Sequence, residues 1–420
     1  MSSGDTAWML VATALVLFMT PGLAFFYGGM VRSKNVLGML MQNYMAMGII
    51  AVLWAALGFT LAFGDFGNTG FIGNFDFIGL KDVVSTFTPD KTYVLGQGNE
   101  IPLELTIPVV LFCAYQMTFA VITPALITGA TADRMKFSAY CLFIGLWSIL
   151  VYAPVAHWVF GGGWLTELGA LDFAGGAVVH INAGAAALAV ILVLGKRKGW
   201  PNEEMKPHNL PWTLLGTGIL WFGWFGFNAG SALAANGQAA QALMNTFLAA
   251  SAAMLGWLVV ERIRSGHATT LGAASGAVAG LVAITPCAGF VGGMAPVAIG
   301  AIAGAVCFLA IGLKTRFGYD DSLDVVGVHL VGGLVGSLLL GLFADKSATG
   351  FGADGLFFGG GAGLLGDQTV ASFATLTFSF VVSFVIAKVL DLVIGIRATS
   401  EDEETGLDLS QHAETAYSLI

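Results

Sequence analysis

The chain has 420 residues, of which 56% are hydrophobic and only 10% are charged, and its mean hydropathy is +0.82. Since a water-soluble protein carries roughly 25% charged residues, most of this chain must face lipid or other protein segments. The formal net charge of −9 argues against nucleic acid as a partner. Four cysteines (Cys113, Cys141, Cys287 and Cys307) lie in apolar stretches without metal-ligand spacing, so we interpret them as reduced packing residues.

Eleven apolar segments are long enough to be membrane helices, because a span needs about 20 apolar residues. Their predicted limits are 7–30, 40–63, 106–130, 137–156, 173–195, 211–233, 241–260, 270–287, 293–313, 323–343 and 370–394. The first segment is too long for a signal peptide and lacks its basic region, so we predict a mature helix. Most of the 17 Lys and Arg residues fall in the loops of one side, which predicts an external N-terminus and a cytoplasmic C-terminus.

Two histidines occupy matched positions in these segments. His180 follows Asp172 by eight residues, and His329 follows Asp321 by eight; each histidine has Val just before it and Gly four residues later. Ionisable groups at membrane depth are energetically costly, so they indicate a functional site. The alternative is two helix-packing histidines, each hydrogen-bonded to a neighbouring helix.

Shorter matches extend this repeat along the chain. Residues 8–13 resemble 212–217, and the Ile-Thr-Pro sequence at 122–124 recurs at 284–286. The first five segments therefore match the next five, and an odd number makes the two halves cross in opposite directions. We predict a transmembrane domain over 1–396, with repeats at about 7–195 and 211–343 and an extra helix at about 370–394.

A polar tail follows Arg397. It begins with an acidic run at 400–404 and has too few apolar residues to form its own core. We predict a cytoplasmic regulatory tail over 397–420, with a disordered end as the alternative. Basic residues of the inner loops, those at 196–198 among them, are candidates to hold the acidic run.

Four stretches together resemble the ammonium transporter family, the Amt/Mep/Rh group, and within it the bacterial and archaeal Amt branch. They are 172–182, 223–231, 324–329, and Gly406-Leu-Asp408 followed by His412, Glu414 and Tyr417. The resemblance covers essentially the whole chain. It implies an all-α integral membrane protein with eleven transmembrane helices, in two inverted five-helix repeats plus an extra C-terminal helix. It also implies a pore through each subunit of a homotrimer, embedded in the lipid of the cell membrane.

The resemblance also assigns residues to an outer cation site and a gate. Phe119, Phe160, Ser231 and Asp172 match the substrate-recruitment site, and Phe119 with Phe227 matches the pore gate. Many relatives carry Trp at position 160, and a phenyl ring is the weaker partner for a cation. The nearby Trp158 is expected to point elsewhere.

Below the gate, the resemblance places His180, His329 and Trp224 along the pore, with Gln116 and Thr285 near the path. Asn182 and Asn228 are expected to join helices. In the tail, Gly406, Asp408, His412 and Tyr417 match a regulatory segment, on which a trimeric PII-type signal protein docks in relatives. No cofactor or metal is implied.

These assignments predict ammonium transport. Aromatic faces attract the cation by roughly 0.5–2 kcal/mol each, and the Ser231 hydroxyl accepts an N–H bond that potassium cannot donate. Asp172 either caps its helix or adds negative potential. Ammonium then loses its proton and ammonia passes, while His180 and His329 relay the proton, so that net charge moves. In the alternative, the histidines are fixed hydrogen-bond partners of neutral ammonia.

Two other functions stay open from the sequence: an ammonium sensor of the same fold, and a neutral ammonia or carbon dioxide channel of the Rh type. The resemblance leaves open whether methylammonium is carried. An enzyme is not expected, because the sequence has no nucleophile–base set, phosphate loop or metal cluster.

Overall fold

The computed structural model describes residues 1–83, 88, 91–99 and 101–417. Within these residues, nine helices are long and apolar enough to cross a membrane. They are α1 (Ser3–Met30), α2 (Ser33–Phe63), α3 (Val109–Thr131), α4 (Phe137–Leu168), α5 (Gly176–Leu194), α7 (Gly237–Ser265), α9 (Ala295–Phe317), α10 (Val326–Phe343) and α11 (Gly363–Ile394). Two further helices, α6 (Leu210–Gly230) and the 15-residue α8 (Thr270–Ile284), lie between them.

The remaining elements are short. Strands β1 (Tyr93–Leu95) and β2 (Leu103–Leu105) pair antiparallel in the segment between α2 and α3. In the tail, α12 (Ser400–Thr405) begins with a capping box, in which Thr399 and Asp402 exchange hydrogen bonds, and α13 (Leu407–His412) follows. The run 400–412, for which disorder was an alternative, is thus helical.

Helices α5 and α10 cross closely in the middle of the protein. A side chain at Gly184 would overlap the backbone nitrogen of Leu330, and a Cβ on Gly333 would lie 3.0 Å from the carbonyl oxygen of Gly176. These are the glycines that follow each histidine by four residues. Small residues at such crossings let membrane helices approach backbone to backbone, which places the two histidines on facing helices.

Both of these helices open with a π-helical turn, Gly176–Ile181 in α5 and Val326–Leu330 in α10. Such turns are rare and occur frequently at functional sites. Each turn contains one of the two histidines. The matched sequence positions therefore adopt the same unusual backbone in both halves of the chain.

A buried ionic network lies at the end of the protein that carries the tail. Arg197 donates two side-chain hydrogen bonds to Asp320, of 2.9 and 2.8 Å, and its Nη1 is 3.6 Å from Asp133. Arg134 donates to the carbonyl oxygens of Gly195 and Asp320. The network joins the end of α5 to the segment that precedes α10.

Candidate functional site

An outer cavity of about 230 Å³ lies at the end of the protein opposite the tail. Its wall is largely aromatic. It includes three of the predicted recruitment residues, Phe119, Phe160 and Ser231. The aromatic residues are Phe66, Phe112, Phe119, Phe160 and Phe173. Such a wall offers ring faces to a cation, and Gln116 adds a polar group to it.

Ser231 is held at the end of α6 by hydrogen bonds. Its hydroxyl donates to the carbonyl oxygen of Phe227 at 2.9 Å, and the Tyr115 hydroxyl lies 3.2 Å from the Ser231 oxygen. With its proton directed inward, the Ser231 oxygen presents lone pairs toward the cavity it lines. Tyr115 was not predicted from the sequence, because nothing in the spacing indicates which buried tyrosine supports the serine.

Two phenyl rings close the floor of this cavity. The ring centroids of Phe119 and Phe227 are 4.2 Å apart, with 32° between the ring planes, and both residues are 1% exposed. Phe119 lines the outer cavity and Phe227 lines a second cavity below it. The pair therefore separates two spaces, and passage between them requires these rings to move.

His180 and His329 meet in the lower cavity. Their Nδ1 atoms are 3.3 Å apart, and their rings are nearly parallel, with centroids separated by 5.3 Å. Because both atoms are Nδ1, one must carry the proton and the other must accept it. The cavity measures about 10 Å³, which is the space of roughly one water molecule, so the histidines border room for a single small molecule.

Trp224 stacks on the other side of His180. The two ring centroids are 5.4 Å apart, and the indole Nε1 donates to the Thr285 hydroxyl at 2.9 Å. The remaining wall of the cavity is apolar, with Phe227 above and aliphatic side chains from α1, α3, α6 and α8 around it. A charged species there would lose nearly all of its hydration.

Asp172 uses its carboxylate as a helix cap. It accepts four backbone N–H bonds, from Gly175, Gly176, Ala177 and Val178, at 2.6–3.2 Å. Its neighbour Phe173, and not Asp172, lines the outer cavity. Asp321 accepts from the N–H groups of the corresponding turn in α10. The geometry thus favours the structural one of the two roles considered for Asp172.

Position 160 and its neighbour point in different directions. Phe160 lines the outer cavity, whereas Trp158 packs against Phe71 and Phe378 and donates its Nε1 to the Phe71 carbonyl. Trp158 therefore does not replace the missing indole in the cavity wall. The aromatic part of the outer cavity wall is built from phenyl rings.

Only one of the two predicted helix-joining asparagines uses its side chain for that contact. The Asn228 amide donates to the Thr246 hydroxyl on α7 at 2.9 Å. The Asn182 amide instead donates to the Val178 carbonyl within α5 at 3.1 Å, and it is the backbone carbonyl of Asn182 that accepts from Ser379 on α11 at 2.8 Å.

The tail docks on the start of α2 through α13. The Asp408 carboxylate accepts the N–H bonds of Leu37 at 3.0 Å and Gly38 at 2.7 Å, which caps that helix. His412 packs edge-on against Phe137, at the start of α4, with a centroid distance of 4.8 Å. The tail thus contacts two of the long helices, α2 and α4.

Two further tail residues complete the docking. Gly406 adopts φ +108°, and a Cβ there would lie 2.7 Å from the carbonyl oxygen of Lys34, so a side chain does not fit. The Tyr417 hydroxyl is 2.9 Å from Nε2 of His208. All four predicted tail residues therefore contact the helical domain.

The acidic run is held by basic residues, though not by the whole predicted set. Lys198 pairs with Glu404, and Arg397 donates to the buried Glu403 at 2.7 Å. Lys34 donates to the Glu403 carbonyl at 2.9 Å. Arg197, in the middle of the predicted basic group, instead pairs with Asp320 within the transmembrane domain.

Comparison with known proteins identifies the family. A profile of the Ammonium Transporter Family matches residues 7–417. The chain belongs to this family. The Mycobacterium bovis ammonium transporter is 54% identical over 432 residues, which cover 99% of this chain and 90% of the relative. The Bacillus subtilis ammonium transporter is 52% identical over 418 residues, covering 99% of each. The family consists of transporters rather than enzymes, as predicted.

Solved structures agree with this membership of the Ammonium Transporter Family. Mep2 of Saccharomyces cerevisiae matches with a TM-score of 0.85 at 35% identity, over 96% of this chain and 88% of that chain. A structure described as a sensor Amt protein matches with a TM-score of 0.86 at 29% identity, over 97% and 98%. The helical membrane fold is thereby confirmed, and the Ammonium transporter Amt1 of Archaeoglobus fulgidus, at 44% identity, extends the likeness to archaea.

Proposed function

We propose that this protein moves ammonium across the cell membrane by capturing the cation, removing its proton and passing ammonia along the twin-histidine cavity. The observation that carries the proposal is the order of three adjoining elements. An aromatic cavity leads to the ring pair of Phe119 and Phe227, and the ring pair leads to the cavity of His180 and His329.

The size and polarity of the lower cavity support deprotonation. Its space suits one molecule the size of water, and its wall is apolar apart from the two imidazoles and the indole. A hydrated cation does not fit such a space, and a bare cation would lack compensation for its lost hydration. Ammonium can lose a proton and enter the cavity as neutral ammonia, whereas potassium has no proton to lose. The apolar wall therefore selects ammonium over potassium.

The imidazole contact supports a proton relay. The 3.3 Å separation of the two Nδ1 atoms lets one histidine donate its Nδ1 proton to the other. When one histidine takes a proton from above, the other can release one below, so the pair carries charge while ammonia passes beside it. Transport is then electrogenic.

The fold supports eleven membrane crossings in two inverted repeats. The opening turns of α5 and α10 share a π-helical backbone, a histidine and a capping aspartate, which two copies of one unit would have. The basic residues concentrated beside the tail support a cytoplasmic C-terminus. We extend the proposal to a homotrimer with a pore in each subunit.

The docked tail supports regulation from the cytoplasmic face. Asp408 and His412 connect it to α2 and α4. A protein that binds the tail can therefore act on the helical domain through these contacts. We propose a PII-type signal protein as this partner. A sensor role is less favoured, since the relatives at 44–54% identity are named transporters, while the match named a sensor is 29% identical.

The test is the current evoked by an ammonium jump across proteoliposomes that contain the purified protein. A transient current supports deprotonation with charge movement. Ammonia permeation without current would point to a neutral channel and remove the relay. Absence of both would leave the sensor function.

A further inference from the structure

A third buried histidine lies at the outer end of α4, away from the pore. His157 is fully buried, with Nδ1 3.0 Å from the carbonyl oxygen of Ala62 and Nε2 3.1 Å from that of Asn68. Both separations are hydrogen-bond distances. A neutral imidazole has one N–H and one lone pair, so it can donate to only one of these oxygens. Only the doubly protonated ring satisfies both.

The surroundings of His157 also favour a positive charge. Ala62 lies in the last turn of α2, where free carbonyl groups form the negative end of the helix dipole. The negative charge of Asp65, in the adjoining loop, also acts in favour of a positively charged ring. Glu167, on the short helical segment at the end of α4, lines a different cavity from the aromatic one, together with Asp65. Burial of the ring opposes a positive charge on it, so desolvation acts against these favourable electrostatic interactions.

The two carbonyl contacts join segments that build the recruitment cavity. The loop 64–69, which includes Asn68, carries Phe66, and α4 carries Phe160 three residues after His157. Both rings line the outer cavity. The Gly67 N–H donates to the carbonyl oxygen of Gly161 at 2.9 Å beside the histidine. This junction therefore sets how the two rings face each other.

We propose that His157 is a positioning residue for cation recruitment, a role that rests on the function proposed above. As an imidazolium it ties the loop 64–69 to α4 and holds Phe66 and Phe160 in place. When the ring loses a proton, one carbonyl loses its donor and the cavity wall loosens. Capture of the cation then weakens while the pore below is unchanged, so external pH tunes apparent affinity.

The first test compares the pH dependence of ammonium-evoked currents between pH 5 and pH 8 in the parent, His157→Asn and His157→Gln. The parent should show an apparent KM that rises about fivefold with pH, at constant maximal current, as expected for the loss of roughly one hydrogen bond. Neither substituted side chain can titrate. Both variants should keep the high KM at every pH, with maximal current within twofold of the parent.

The matched control is His267→Asn, because His267 is exposed in the loop between α7 and α8. It should reproduce the parental profile. A flat KM in the parent, or a parental profile in both His157 variants, would overturn the proposal. Size-exclusion chromatography of the detergent-solubilised protein establishes that each variant is folded.

A second variant separates titration from packing. Asp65→Asn removes a negative charge that favours the imidazolium, and its one side-chain oxygen can still accept from either Asn68 or Asn99, each of which bonds a different oxygen of the carboxylate. The midpoint of the KM profile should move to lower pH. An unmoved midpoint would contradict an electrostatic link between Asp65 and His157, since packing alone predicts no such shift.

The protonation state itself can be read without transport. In protein labelled with ¹⁵N-histidine, the His157 signals are those missing from His157→Asn. At pH 5 both ring nitrogens should have shifts of protonated nitrogens, and one should change toward pH 8. A neutral ring throughout overturns the inference even if currents are normal. An imidazolium in a protein that gives no current leaves this assignment standing and removes the proposed transport instead.

Discussion

The Nδ1 atoms of His180 and His329 lie 3.3 Å apart, between helices that come from opposite halves of the chain. When one Nδ1 carries a proton, the other Nδ1 must accept the hydrogen bond, so each ring fixes the tautomer of the other. Two neighbouring imidazoles that share one proton resist holding a second charge and titrate as a pair. The contact is therefore suited to pass a proton on rather than to retain it.

Replacing either histidine should abolish the transient current. We expect His180→Ala and His329→Ala each to reduce the ammonium-evoked current in proteoliposomes at least tenfold, because a single imidazole has no partner to receive the proton. Folding should be retained, since the cavity is lined mainly by other residues. His208→Ala, on the face that carries the tail, is the control for loss of a histidine. Full current in both pore variants would exclude the relay.

Restoring an indole to the outer cavity should strengthen cation capture. We expect Phe160→Trp to lower the ammonium concentration for half-maximal current about threefold, because indole binds a cation more strongly than a phenyl ring. Phe357→Trp is the control, since Phe357 is 61% exposed elsewhere. A raised or unchanged half-maximal concentration in the Phe160 variant would show that ring identity does not limit affinity.

The cap formed by Asp172 leads to a stability prediction. Asp172→Ala leaves four buried N–H groups without their acceptor and should destabilise the protein by about 2–4 kcal/mol. Asp172→Asn should cost less, since one oxygen remains. Thermal unfolding in detergent measures both. Asp345→Ala, which removes the cap of a short outer helix, is the matched control. If Asp172→Asn weakened ammonium affinity without lowering Tm, the electrostatic role would be the dominant one.

The buried ionic network around Asp320 predicts how the stability of the protein depends on pH. Burial alone raises the pKa of Asp320, but hydrogen bonds from Arg197 and the charges of Arg134 and Arg197 outweigh it and hold the pKa below its usual range. A carboxylate with a lowered pKa contributes stability above the ordinary value of about 3.9, and that contribution disappears as the pH falls through the lowered pKa. Tm should therefore be insensitive to this group from pH 7 to about pH 4.

Removing the arginine should move this limit. Arg197→Ala leaves Asp320 buried without its main partner, so Tm should fall, by the equivalent of about 3–5 kcal/mol. The pKa of Asp320 should then rise, and stability should respond to pH well above pH 4. Lys206→Ala, which breaks an exposed ion pair with Glu204, should change Tm little. An equal effect of the two substitutions would contradict a buried network.

Tail docking can be tested through its partner. Removal of the residues after Arg397 should abolish co-purification of a PII-type protein, and Asp408→Ala should weaken it, because the cap on α2 is lost. Gly406→Ala should act similarly, since φ +108° and the nearby Lys34 backbone exclude a side chain. Glu401→Ala, at an exposed position of α12, is the control. Undiminished binding to the truncated protein would exclude the tail as the docking site.

Helix positions followed readily from hydropathy because long apolar runs have few alternatives in a membrane. Each predicted segment overlaps one of the long helices, with ends displaced mostly by a few residues. The Ile-Thr-Pro repeat shows the limit of such reasoning. Pro124 lies inside α3, whereas α8 ends just before Pro286. The helix therefore continues through the repeated sequence in one half of the chain and ends at it in the other, because the tertiary surroundings differ.

The site was predictable only in part, for a similar reason. The matched settings of His180 and His329 are visible in the sequence, but their π-helical turns are not. The supporting residues, such as Tyr115 and His157, are ordinary buried aromatic residues in the sequence. Both side chains make hydrogen-bond contacts with backbone carbonyl groups that are distant along the chain. No local sequence pattern can indicate such contacts.

The backbone contacts at Gly184 and Gly333 hold the two histidine-bearing helices at a fixed separation. In the proposed transport, the rings of Phe119 and Phe227 above the histidines are then the part that must move for each passage. We therefore expect turnover without a large movement of one half of the chain against the other.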